Sequence, residues 1–242
     1  MDTVAEDVRL SGRLLVVVRP AAGGPWPGVV MLHEAWGVDD VLRRQAQRLA
    51  SAGFVVLAPD LLGEGPLLGC MRRMVRAFRA RSGLPFQLIQ QAREQLLGDP
   101  QVNGRVGVIG FCMGGGFALL VSADGFDASA VNYGMVPEDV DEVLRGSCPV
   151  VASYGGKDKQ LLDEVPRLRA ALETNDVPYD LEVYPTAGHS FLNHATNGPR
   201  LFRPLLRVAH VGPDPVAAPD AWRRIEAFFG QHLQPAPGAP SS

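Results

Sequence analysis

The sequence predicts an α/β fold, with a mostly parallel central sheet and helices on both faces. Two observations carry this. Short β-rich apolar runs alternate with segments of helical periodicity along most of the 242 residues, the pattern of strand–helix–strand units. Several of the runs are apolar without a break, as strands must be when neither face of the sheet meets water. In sheets wound this way the working residues lie on loops at the carboxyl ends of strands.

The apolar runs are residues 27–32, 54–58, 106–109, 128–133, 149–152 and 181–184. Between the first two, Val41, Leu42, Leu49 and Ala50 recur at helical spacing, and Gly53 follows where a left-handed residue ends a helix. Met71, Met74, Val75 and Phe78 fall at i, i+3, i+4 and i+7, one apolar stripe opposite a row of arginines. Residues 117–121, 161–172 and 221–229 read as further helices. These elements make one domain over residues 1–232, with a Pro/Ala/Ser-rich, mobile tail over 233–242. Residues 194–219 are long and Pro-rich, as a lid or a partner surface would be.

A hydrophobic fraction of 46% is enough for a sizeable core. The 23 basic and 26 acidic residues, net charge -3, leave no basic footprint for nucleic acid. No apolar run reaches the roughly 18 residues of a membrane span, and Met1-Asp2-Thr3 does not begin a signal peptide. Three cysteines, Cys70, Cys112 and Cys148, are too few and too odd for a disulfide framework. The expectation is a cytoplasmic monomer or small homo-oligomer with free thiols and a small-molecule substrate, binding neither nucleic acid nor membrane.

The run at 106–109 leads into Gly110-Phe111-Cys112-Met113-Gly114-Gly115-Gly116 and then a helix. This is G-x-C-x-G in strand–turn–helix context, as a nucleophile elbow requires. Glycines two before and two after the nucleophile let strand and helix approach closely, and the helix N-terminus favours a thiolate. The backbone N–H of Met113 faces the same point and can hold an oxyanion. The plainer alternatives are a buried small thiol or a phosphate loop. The loop has neither the G-x-G-x-x-G register nor a Gly-Lys-Ser/Thr ending.

A cysteine nucleophile needs a base, and the base needs an orienting group. The turn after the fifth run carries Asp158, and the turn after the sixth carries His189, 31 residues on. The chain order nucleophile, acid, histidine is that of hydrolases built on this elbow. Asp60 also ends a strand but precedes the nucleophile, and it reads as a loop organiser. The first run ends in His33-Glu34-Ala35-Trp36-Gly37, which lacks the second histidine of a zinc motif. Ala35 is the candidate for the second oxyanion N–H, and Trp36 for the substrate pocket. Glu34 falls close to the site by position, where, depending on its distance from the thiol, it would hold Cys112 protonated or help to remove its proton, unless it merely caps the following helix.

With those residues in view, the chain resembles the dienelactone hydrolase family of α/β-hydrolases. The marks are His33 to Gly37, Ala58-Pro59-Asp60-Leu61, Gly110 to Gly115, Gly155 to Asp158 and Ala187 to Phe191, in order, with a closing helix around Ala221 to Phe229. The resemblance implies an α/β-hydrolase fold and a Cys112–His189–Asp158 triad. It also implies that Glu34 holds the resting thiol until substrate turns it toward the histidine. The reaction it implies is ester or lactone hydrolysis through an acyl-cysteine, with Ala35 and Met113 at the oxyanion and no metal or organic cofactor. Family members acting on dienelactone carry an arginine shortly after the triad histidine. Here Asn193 and His194 follow, and the next arginine is Arg200, which leaves Arg72 and Arg76 as candidate carboxylate ligands. The alternatives are a thioesterase or carboxylesterase for another small acyl group, a non-catalytic binding relative, or a redox-sensing thiol with Cys70 or Cys148 as resolving partner.

Overall fold

Side chains alternate across a strand with period two, and in the computed structural model that alternation sorts the strands between two cores. The structure describes residues 1–198 and 211–234. Eight strands form one sheet: β1 (Thr3–Leu10), β2 (Arg13–Pro20), β3 (Trp26–Leu32), β4 (Val55–Pro59), β5 (Val102–Phe111), β6 (Ala128–Asn132), β7 (Val150–Gly155) and β8 (Tyr179–Tyr184). Their order is β1-β2-β4-β3-β5-β6-β7-β8. Val16, Val18, Val29, Met31, Val56 and Ala58 enter one core; Leu15, Val17, Val30, Leu32, Val55 and Leu57 enter the other. Both faces are therefore covered, as the unbroken apolar runs require.

All six predicted runs are strands, β3 to β8, and all pair in parallel. The antiparallel β1–β2 hairpin, set against β4, completes the sheet. Edge strand β1 is mostly exposed and carries Glu6, Asp7 and Arg9, which blunts the edge and hides the strand pattern, whereas β2, absent from the predicted runs, holds an unbroken apolar run over residues 14–18, buried from Leu15 on like those of β3 to β7. The hairpin's two-residue turn places both Ser11 (φ 48°) and Gly12 (φ 80°) left-handed, the geometry that matches strand twist.

Helices α1 (Asp40–Ser51), α7 (Val165–Thr174) and α8 (Ala217–His232) cover the first core. Helices α2 (Leu67–Ala80) and α3 (Leu84–Leu97) cover the second. The helix that follows Cys112 is α4 (Met113–Leu120), and α5 (Val140–Val143) and α6 (Lys159–Leu162) are single turns. The predicted helix over 161–172 is two helices. Pro166 lies in the first turn of α7, where its missing N–H costs nothing and a new helix starts. Gly53 follows α1 with φ 95°, as the sequence predicts. No helix among the described residues is long and apolar enough to cross a membrane.

Helix α1 begins at Asp39, whose carboxylate accepts the Leu42 N–H at 2.9 Å. Glu34 is therefore not the cap of this helix. Asp39→Ala should cost about 1 kcal/mol in urea denaturation while Asp39→Asn costs much less, because asparagine still caps.

Candidate active site

The elbow is built by backbone crowding. Strand β5 ends at Phe111, α4 starts at Met113, and Cys112 between them takes φ 55°, ψ -117°. A non-glycine residue held there stores about 1–3 kcal/mol. Its N–H is held by the Asn132 carbonyl at 3.0 Å. A Cβ on Gly110 would overlap the carbonyl of Gly114, and one on Gly114 would overlap the carbonyl of Leu32. The glycines two before and two after Cys112 are thus where α4 meets β5 and β3. Tyr133 (φ 39°) and Ser190 (φ 59°) are also left-handed, so strain gathers along this sheet edge.

The loops after β7 and β8 bring the acid and the histidine to the thiol. Lys157 N–H bonds the Ala187 carbonyl at 2.9 Å, joining the two loops. His189 Nδ1 lies 2.6 Å from Asp158 Oδ2, which assigns its proton to Nδ1. The same imidazole hydrogen-bonds the Cys112 thiol. Burial pulls the imidazole toward its neutral form, but the bonds to Asp158 and Cys112 outweigh it and hold its pKa well above the ordinary 6.5. Behind the ring, Tyr133 packs at 5.1 Å between centroids. On the chain's return, Gly212 N–H bonds the His189 carbonyl at 2.9 Å.

Ala35 and Met113 both line the cavity that holds Cys112. Met113 opens α4, so its N–H belongs to the first helical turn, which has no intrahelical acceptor. Glu34 is buried, 7% exposed, and both its oxygens are occupied: Asn193 donates at 3.2 Å and Asn197 at 2.7 Å. Tyr133 bonds it as well. His33 is a strut. Its Nε2 accepts the Leu61 N–H at 3.0 Å and its Nδ1 donates to the Glu34 carbonyl at 2.6 Å. That pairing requires a neutral ring, and burial, the largest influence, lowers its pKa accordingly. Asp60 accepts the N–H groups of Leu62 and Gly63 and so organises its loop.

The cavity has a volume of about 650 Å³ and an apolar wall of Met71, Val75, Met135, Leu161 and Val211. Lys157, Lys159 and Gln160 line its other side. The α2 stripe divides its neighbours. Met71 and Val75 line both the cavity and an adjoining exposed hollow, and Arg72 and Arg76 line only the hollow, with Arg79. Trp36 lies against Gly198. Arg200 and the centre of the Pro-rich segment fall outside the described residues. Cys70 and Cys148 are buried, and burial pushes the Cys148 thiol up to about 12. Among the described residues no three His, Cys, Asp or Glu side chains are grouped to hold a metal ion.

The sequence pattern did not single out Tyr133, Asn193, Asn197 or Gln45. Tyr133 ends the fourth apolar run, so its position at a strand's carboxyl end was a usable signal. The amides carry no comparable mark.

The family model for the dienelactone hydrolase family matches residues 15–233. The chain belongs to that family. Carboxymethylenebutenolidase from Rhodococcus opacus is 27% identical, over 85% of this chain and 81% of its own length. Two solved structures share the fold. Dienelactone hydrolase from Anabaena variabilis has a TM-score of 0.70 at 20% identity, covering 96% of this chain and 99% of its own. A dienelactone hydrolase-like promiscuous phosphotriesterase from metagenomic libraries has a TM-score of 0.77 at 24% identity, with the same coverage. The fold is thus the α/β-hydrolase fold, and this family member is a carboxylic ester or lactone hydrolase.

Gly114→Ala should destabilise the protein by about 3 kcal/mol or more in urea melts, since the clash is with backbone and cannot be relieved by a rotamer change. Asp158→Asn should lower the His189 titration midpoint, followed by imidazole NMR, because it removes a bond that favours the charged ring. The raised pKa has a matching stability signature. The folded value exceeds the unfolded 6.5, so the stabilisation is full below 6.5 and is lost as pH rises through the folded value. Asp158→Asn should shrink that loss.

Proposed function

We propose that this hydrolase cleaves a small ester or lactone through an acyl-cysteine on Cys112. One observation carries the reading: a continuous relay from Asp158 through His189 to a thiol on a strained elbow. With Nδ1–H bonded to Asp158, Nε2 is the nitrogen left to take the thiol proton. Sulfur then attacks the carbonyl carbon, and the oxygen takes up negative charge between the N–H groups of Ala35 and Met113. As the carbonyl re-forms, the ester C–O bond breaks and the imidazolium protonates the departing alkoxide or enolate. Water enters next, gives a proton to His189 and attacks the thioester. Collapse releases the acid and returns the proton to the Cys112 sulfur.

The apolar wall of Met71, Val75, Met135 and Leu161 favours a second reading within this chemistry. In it the enzyme is a carboxylesterase or thioesterase for another small acyl group, and the cations among the described lining residues are Lys157 and Lys159 rather than arginines. Such a wall supports acyl groups of several sizes, since methionine adapts its shape.

Mass spectrometry after mixing with an activated small ester should show one acyl group on the peptide containing Cys112. Cys112→Ala should lose the adduct and about 10³-fold or more in kcat; unchanged turnover would exclude the thiol as nucleophile. Asp158→Asn should fall by about 10³–10⁴-fold, since the base loses its orienting partner. A screen of cis- and trans-dienelactone against simple alkyl esters and thioesters separates the two substrate readings.

A further inference from the structure

Beside the relay lies a buried polar cluster that the reaction steps above do not use. Glu34 is 7% exposed, Asn193 2%, Asn197 5% and Gln45 5%, and Tyr133 is fully buried. The direction of its hydrogen bonds is determined by chemistry. Gln45 Nε2 donates to Asn193 Oδ1 at 2.9 Å, and the Tyr133 hydroxyl approaches the same oxygen at 3.4 Å. The Asn193 amide must therefore present its N–H₂ to Glu34 Oε1, while Asn197 presents its own to Oε2. Burial, reinforced by the charges of Glu34 and Cys112, keeps the phenol of Tyr133 neutral and able to donate. Every bond runs toward the carboxylate, the arrangement a buried anion needs.

Tyr133 lines the cavity with Cys112, and its hydroxyl lies 3.4 Å from the Asn193 amide that holds Glu34 at 3.2 Å, so carboxylate and thiol flank the same buried phenol. A carboxylate loose in the volume around it would repel a thiolate and compete with His189 for its proton. We propose that Asn193 and Asn197 are positioning residues that clamp the Glu34 carboxylate onto the 193–197 turn and off the thiol, so that the Cys112 proton passes to His189. The clamp rests on the cysteine mechanism proposed above and explains why two neutral amides stand against the one buried carboxylate of this edge. Gln45, from α1, locks the orientation of Asn193.

The other titratable or charged groups facing this volume are His189 after β8, His33 and Tyr133 after β3 and β6, and Asp158, Lys157 and Lys159 after β7. None of them is altered in the variants below. The test follows the rate of iodoacetamide alkylation of Cys112 against pH, alongside kcat and KM for an activated ester. Asn197→Ala frees one oxygen of Glu34, and Asn197→Leu keeps the volume while removing the donor and adding no charge. Both should move the alkylation midpoint up by about one pH unit, slow alkylation at neutral pH about tenfold, and lower kcat with KM little changed. In a Glu34→Gln background the same Asn197 substitutions should shift the midpoint no further, because the carboxylate they release is gone.

An unmoved midpoint in folded Asn197→Ala or Asn197→Leu would overturn the clamp. So would an equal shift with and without Glu34, which marks a purely structural role. If Cys112 were not the nucleophile, kcat would not follow alkylation across these variants. The midpoints would still report the clamp, so the two failures can be told apart.

Discussion

The close approach of α4 to β3 and β5 is the constraint on which the catalytic edge depends. Carbonyl oxygens of Leu32 and Gly114 stand where a Cβ on Gly114 or Gly110 would be, and no side-chain motion relieves a clash with backbone. That contact drives the chain through φ 55° at Cys112 and exposes the thiol at a helix N-terminus. The strain is sustained by two well-packed faces of the sheet, whose period-two side chains leave the strand ends little freedom.

Around that point, charge is managed by hydrogen bonds rather than by ion pairs with arginine. The His189 imidazolium is supported by Asp158, and the Glu34 carboxylate by amides. Burying either charge without those donors and acceptors would cost several kcal/mol. The result is an edge on which opposite charges occupy assigned places within one small volume. The His33 strut contributes from behind, because a neutral ring bonded on both nitrogens fixes the backbone that carries Glu34 and Ala35.

Helix α2 shows how one periodic stripe serves two ends. Met74 and Ala77 enter the core, while Met71 and Val75, one step round the helix, remain partly exposed to form the cavity wall. The helix thus gives the cavity apolar area, while Arg72, Arg76 and Arg79 line the hollow that adjoins it across Met71 and Val75.

The sequence by itself determined the sheet's parallel core, the elbow, and the order Cys112, Asp158, His189, because each rests on local rules: apolar runs, glycine spacing, and residues at strand ends. It does not mark edge strand β1, which is charged and exposed although β2 beside it carries a plain apolar run, nor the break before α7, where Pro166 restarts a helix that periodicity carries through. It left Glu34 between capping a helix and serving the thiol, and left Arg72 and Arg76 as possible cavity residues. Tertiary structure decided the cap in favour of Asp39, the partners of Glu34 as Asn193 and Asn197, and the direction in which α2 presents each side chain. Those contacts join residues 148 to 163 positions apart, as from Gln45 to Asn193 and from Glu34 to Asn197. An asparagine in a loop has no periodicity or motif to mark it; its role exists only once the sheet has brought two distant strand ends together.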